Sequence, residues 1–200
     1  MEILFSLPIL LFSAILHEVA HGLVADRLGD PTPRLMGRLT LNPKSHIDPF
    51  MSIALPLLLM LSGSPLIFGA AKPVPVDPFN LKEGRKDVAL VALAGPLTNV
   101  LLAICASFLL KALGAFGMIP ILSVFLLYVV RINLLLAIIN LIPIPPVDGS
   151  KVFALILPEK DARIYLSFGS IGIAVLLLFL LFAGNTIHSI LFFAESMLLW

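Results

Sequence analysis

The stretch Ser13-Ala14-Ile15-Leu16-His17-Glu18-Val19-Ala20-His21-Gly22-Leu23-Val24-Ala25 places two histidines and a glutamate inside an apolar run. That run, from residue 3 to about 25, is long enough to cross a bilayer as a helix. On a helix, His17 and His21 stand one turn apart on the same face. Both can then turn an imidazole nitrogen toward one metal ion, with Glu18 beside them. H-E-x-x-H is a zinc-hydrolase arrangement, and ionisable groups at membrane depth are costly enough to mark a site. The competing reading is that the two imidazoles pair with neighbouring carboxylates or carbonyls.

Hydrophobic residues make up 60% of the chain, charged residues 12%, and mean hydropathy is +1.09, far from a soluble domain. The expectation is an all-α polytopic membrane protein of about five transmembrane helices, with a re-entrant segment and a short membrane-associated β-hairpin or strand. Residues 1–200 read as a single integral-membrane domain, with a catalytic core over about 1–150 and C-terminal helices over about 151–200. A net charge of +1 without a basic patch gives no electrostatic footprint for nucleic acid, and no nucleic-acid partner is expected. One cysteine, Cys105, offers neither a disulfide framework nor a cysteine zinc site. The N-terminus has no basic n-region and its apolar run carries the histidines, so it reads as a retained helix rather than a cleaved signal.

After the first span comes a polar stretch to Pro49, in which Leu35 to Leu41 alternates well enough at its end to predict a short strand. A second apolar run, Phe50 to about Phe68, is broken by Pro56, Gly63 and Pro65. Lys72-Pro73-Val74-Pro75-Val76 follows, where alternate prolines fit an edge strand or an extended segment. Further spans are expected over Val88 to about Lys111, Met118 to Leu141, about Ile164 to Ala183, and Ile187 to Trp200. A proline-rich exit, Pro143 to Gly149, follows the third of these five spans.

Lysine and arginine counting tests the run from residue 50 to 68. If it crosses, one side holds seven basic residues and the other five; if it turns back, the count is eleven against one, with Arg131 left inside a span. The positive-inside rule therefore favours a re-entrant segment, an N-terminus outside and a site near the cytoplasmic side of the cell membrane. That topology also delivers Asp148 to the same membrane face as His17 and His21.

A catalytic zinc takes three protein ligands and keeps a position for water, so a third ligand is needed. Asp148 leads, being at the right depth and followed by Gly149; His46 lies in a loop, and His188 and Glu195 share a face of the last span.

The chain resembles the site-2 protease family of intramembrane zinc metalloproteases, in its short prokaryotic branch without a PDZ or CBS domain. The resemblance rests on three motifs in order: His17 to His21, Ala94-Gly95-Pro96-Leu97-Thr98-Asn99, and Asn140-Leu141-Ile142-Pro143-Ile144-Pro145-Pro146-Val147-Asp148-Gly149. It implies one Zn2+ per chain held by His17, His21 and Asp148, with Glu18 as general base. It further implies that Asn99 and Asn140 hold substrate backbone or the developing oxyanion. The implied activity is cleavage of membrane proteins within or beside a transmembrane helix, with those proteins and the lipid bilayer as partners. The alternative class is a non-proteolytic metal-binding membrane protein, an ion transporter or a helix-binding scaffold, which has no use for a base at Glu18. As a substrate-holding device, strand addition at Leu39 to Leu41 is expected.

Overall fold

The computed structural model describes residues 2–47, 54, 58, 61, 72–115 and 120–199. Among the described residues, four helices are long and apolar enough to cross a membrane: α1 (Glu2–Leu28), α3 (Arg85–Ala115), α4 (Pro120–Asn140) and α7 (Gly169–Leu199). Shorter helices lie between them: α2 (Thr32–Leu35), α5 (Asp148–Phe153) and α6 (Glu159–Ser167).

The packing follows from helical periodicity. On α1, Ile9, Ser13, His17, His21 and Ala25 are all buried, a ladder of every fourth residue that makes one continuous inward stripe. On α4 the buried set is Leu126, Val130, Asn133, Leu134 and Ala137, again one face. Between these two runs α3, which packs against α1, α4 and α5 and is the central helix. Its buried positions include Ala92, Ala103 and Ala106, small enough for neighbouring backbones to come close. Ala103, Ala106, Leu126, Val130, Leu134 and Leu191 form one apolar cluster joining α3, α4 and α7. In lipid such a cluster is held by dispersion and close packing, since an outward leucine loses nothing to water. Accordingly α7 is mostly lipid-facing, with only Leu176 and Leu191 among its fully buried apolar residues.

Two polar anchors tie the connections to this frame. The buried Asp30, just past α1, accepts hydrogen bonds from Thr32 N–H (3.0 Å), Asp77 N–H (2.7 Å) and Asn80 Nδ2 (3.0 Å). Arg85 Nη1 donates to the carbonyls of Ala154 (3.1 Å) and Leu157 (3.0 Å), so the start of α3 caps the end of α5 and steadies its position.

Two expectations change. The strand or hairpin expected around Leu35 to Leu41 is absent among the described residues: α2 ends there, and Gly37 turns the chain at φ 64°. The Thr40 carbonyl accepts from His46 Nε2 at 2.8 Å, and Asn42 N–H donates to Thr40 Oγ1, so local bonds take the place of a ladder. The Lys72 to Val76 stretch likewise carries no strand.

The two C-terminal spans are one helix, α7, which makes four spans among the described residues rather than five. No proline lies between Ala183 and Ile187. Gly184 costs a helix only about 1 kcal/mol, less than unpaired main-chain groups would cost in lipid. The re-entrant segment expected over 50–68 falls, apart from three isolated positions, outside the described residues.

The proline-rich exit is a run of tight turns, with Ile142, Ile144 and Val147 N–H groups bonded to the carbonyls of Ile139, Ile142 and Ile144. Its end is fitted closely to its surroundings: a Cβ on Gly149 would run into the Leu141 carbonyl, and one on Gly172 of α7 into the Pro145 carbonyl.

Candidate metal centre

The inward stripe of α1 brings His17 and His21 against α3, and the turns after α4 bring Asp148, the first residue of α5, to meet them. His17 Nε2 and His21 Nε2 are 3.0 Å apart, and each lies 3.1 Å from Asp148 Oδ2. All three residues are buried, and their donor atoms lie within 4.8 Å of one another. Separations of 82 and 131 residues along the chain connect the contacts made by His17, so the group is a product of tertiary folding.

The tautomers follow from the remaining ring nitrogens. His21 Nδ1 lies 2.6 Å from the Val91 carbonyl, which can only accept, and His17 Nδ1 lies 2.6 Å from Asn99 Oδ1. Each Nδ1 therefore carries a proton; in the neutral form that metal binding requires, each ring would turn a bare Nε2 inward. Two imidazole lone pairs and a carboxylate oxygen then face one another across about 3 Å, an arrangement that a shared cation relieves. A second proton on one ring would relieve it only in part. Two neutral imidazoles and one carboxylate are a donor set suited to zinc with a position left for water.

Neighbouring groups complete the shape. Lys151 Nζ donates to Asp148 Oδ1 at 3.0 Å, leaving Oδ2 for the histidines. Gly95 gives α3 the clearance to pass the rings: a Cβ there would stand 2.5 Å from His17 Nε2 and from His21 Nε2. Glu18 Oε2 accepts from Val74 N–H at 2.8 Å, which couples the Lys72 to Val76 segment to the motif. A cavity of about 380 Å³ is lined by His17, Glu18, His21, Asp148, Asn140 and Val74, among others.

Of the sequence-based candidates, His17, Glu18, His21, Asp148 and Asn140 thus share one cavity. Asn99 stands elsewhere: it is fully buried behind His17, between that ring and Asn133. His46 is buried against the Thr40 carbonyl, His188 is exposed, and Glu195 pairs with Arg131 at 3.7 Å. Gly95, Lys151, Val74 and Asn133 were not singled out from sequence. Asn133 carried a signal, as an amide inside a membrane span.

Four apolar helices long enough to span a membrane, with a buried His, His and carboxylate group that could hold a metal ion and a glutamate on the same cavity, define the class as a multi-pass membrane protein with a candidate metal centre. The chain belongs to peptidase family M50, the site-2 protease family, whose model matches residues 5–119. Among relatives, YwhC of Bacillus subtilis, provisionally named a zinc metalloprotease, is 39% identical over 155 residues, 74% of this chain and 67% of YwhC. Rip2 of Mycobacterium tuberculosis, named in the same way, is 35% identical over 142 residues, 70% of this chain and 52% of Rip2. The chain thus spans about half the length of that mycobacterial relative. No solved structure gives a significant match.

Proposed function

We propose that this protein is an H-E-x-x-H zinc endopeptidase that cuts membrane proteins within or beside a transmembrane segment. His17, His21 and Asp148 hold the metal and Glu18 is the general base. The observation that carries the reading is the shared cavity: three convergent donor atoms and a carboxylate open onto one space beside apolar spanning helices. Bound there, zinc supplies Lewis acidity, bringing the pKa of water toward neutrality and polarising the scissile carbonyl.

Every other part falls to side chains of this chain. Glu18 has one carboxylate oxygen held by Val74 N–H, which orients the group and leaves the other oxygen to take a proton from water and hand it to the leaving amine. Asn140, on the cavity wall, is suited to hold the substrate backbone or the oxyanion. Asn99 acts on His17 instead of on substrate. Orientation follows from the basic residues, with the N-terminus outside; His21 lies seven residues from the end of α1, about 10 Å from its cytoplasmic terminus.

The test is cleavage of a reporter transmembrane helix by the purified chain, with metal content measured alongside. Glu18→Gln is expected to keep one zinc per chain and lose at least about 100-fold in cleavage. Persistent cleavage in Glu18→Gln would sink the mechanism. Zinc flux through reconstituted vesicles without cleavage would instead identify the transporter alternative.

A further inference from the structure

Asn133 is fully buried in the middle of α4, and its hydrogen bonds run to Asn99 and to the Val129 carbonyl. Its Nδ2 donates to the Val129 carbonyl at 2.9 Å, and its Oδ1 accepts from Asn99 Nδ2 at 2.9 Å. Asn99 Oδ1 in turn accepts from His17 Nδ1 at 2.6 Å. The direction of this chain is forced from its far end. A main-chain carbonyl can only accept, so Asn133 must turn its NH2 to Val129 and its oxygen to Asn99. Asn99 then spends its NH2 on Asn133 and has only an oxygen for His17. The imidazole must carry its proton on Nδ1, and Nε2 is left as a lone pair facing Asp148.

We infer that Asn133 is a positioning residue for the metal centre: through Asn99 it sets His17 in the tautomer and ring orientation that bind zinc. His21 reaches the same state by a shorter route, since its Nδ1 meets the Val91 carbonyl directly. His17 Nδ1 meets an amide side chain in place of a main-chain carbonyl, and a single amide there could present either end. With Asn133 removed, Asn99 can flip, offer NH2 to Nδ1, and leave the proton on Nε2, where it blocks coordination. A second amide anchored on a helix carbonyl removes that freedom. The inference rests on His17 being a zinc ligand.

The test is zinc affinity of the metal-stripped full chain in detergent, by competition with a chromophoric chelator. Asn133→Leu, close in volume, is expected to weaken zinc binding by about 10- to 100-fold, as loss of a group that orients a metal-binding histidine does. Asn99→Leu should do the same, and the Asn99→Leu/Asn133→Leu double variant should be no weaker than Asn99→Leu alone, because Asn133 acts only through Asn99. Asn133→Asp should restore affinity: an aspartate buried at this depth is protonated, and can donate to Val129 while accepting from Asn99. A merely structural role predicts lower melting temperatures for all three leucine variants with affinity unchanged, and would overturn the inference, as would additive losses in the double variant.

A measurement on the wild type needs no variant to fold. Ring 15N shifts of metal-free protein, with His17 assigned by comparison with His17→Ala, should report the Nδ1–H tautomer; Nε2–H overturns the inference. If His17→Ala binds zinc as tightly as wild type, the metal-ligand reading itself fails, whereas wild-type affinity in Asn133→Leu with loss in His17→Ala refutes the relay alone.

Discussion

At the scale of single residues, Gly95 shows how much of the site depends on what is missing. Its absent Cβ would stand 2.5 Å from both inward nitrogens, so a methyl group must displace the rings or push α3 away from α1. Gly95→Ala is therefore expected to cut zinc affinity and reporter cleavage by at least about tenfold each, in line with other losses of support around a metal-binding histidine, and a chelator competition and a cleavage assay check it. Asp148→Asn should also lose metal, because an amide oxygen lacks the charge that binds the cation; full zinc retention would reopen the choice of third ligand. At this scale the placement of His17 and His21 on one face of a helix was legible, since that geometry is local to one helix turn. Gly95 lay inside a quoted motif, yet its purpose was not readable, because the clearance exists only between two helices that meet through folding.

At the scale of elements, hydrophobic periodicity foretold the spanning helices and failed where polar groups decide. The Leu35 to Leu41 alternation looked like a strand, but Gly37, Thr40, Asn42 and His46 satisfy that stretch by local bonds. The C-terminal gap at Gly184-Asn185 looked like a loop, but in lipid the helix continues. The connection after α1 depends instead on Asp30. Burial alone would raise the Asp30 pKa; hydrogen bonds from Thr32, Asn80 and Asp77 outweigh it and hold the carboxyl below its ordinary value. With the folded pKa below the unfolded value of about 3.9, the contribution is complete above that pH and is lost as pH falls through the folded value. Asp30→Asn is thus expected to cost about 1–3 kcal/mol at neutral pH, with the difference from wild type shrinking below about pH 4; thermal melts at both pH values measure it.

At the scale of the whole molecule, the candidate metal centre lies where three elements meet: α1, the Val91 turn of α3, and α5 beyond the proline-rich exit. A ligand bound to the folded state alone stabilises it in proportion to the logarithm of its concentration over Kd. Chelation is expected to lower the melting temperature of wild type by several degrees, and to leave His17→Ala/His21→Ala unmoved; equal shifts in both would place the stabilising metal elsewhere. The sequence by itself determined the membrane class and the helical placement of His17 and His21 on one face, because hydropathy and helical spacing are properties of the chain read along its length. Only the tertiary structure decided which amide supports His17, which glycine makes room for the rings, and which backbone N–H holds Glu18. Those depend on contacts between residues dozens of positions apart, whose angles and clearances no local pattern encodes.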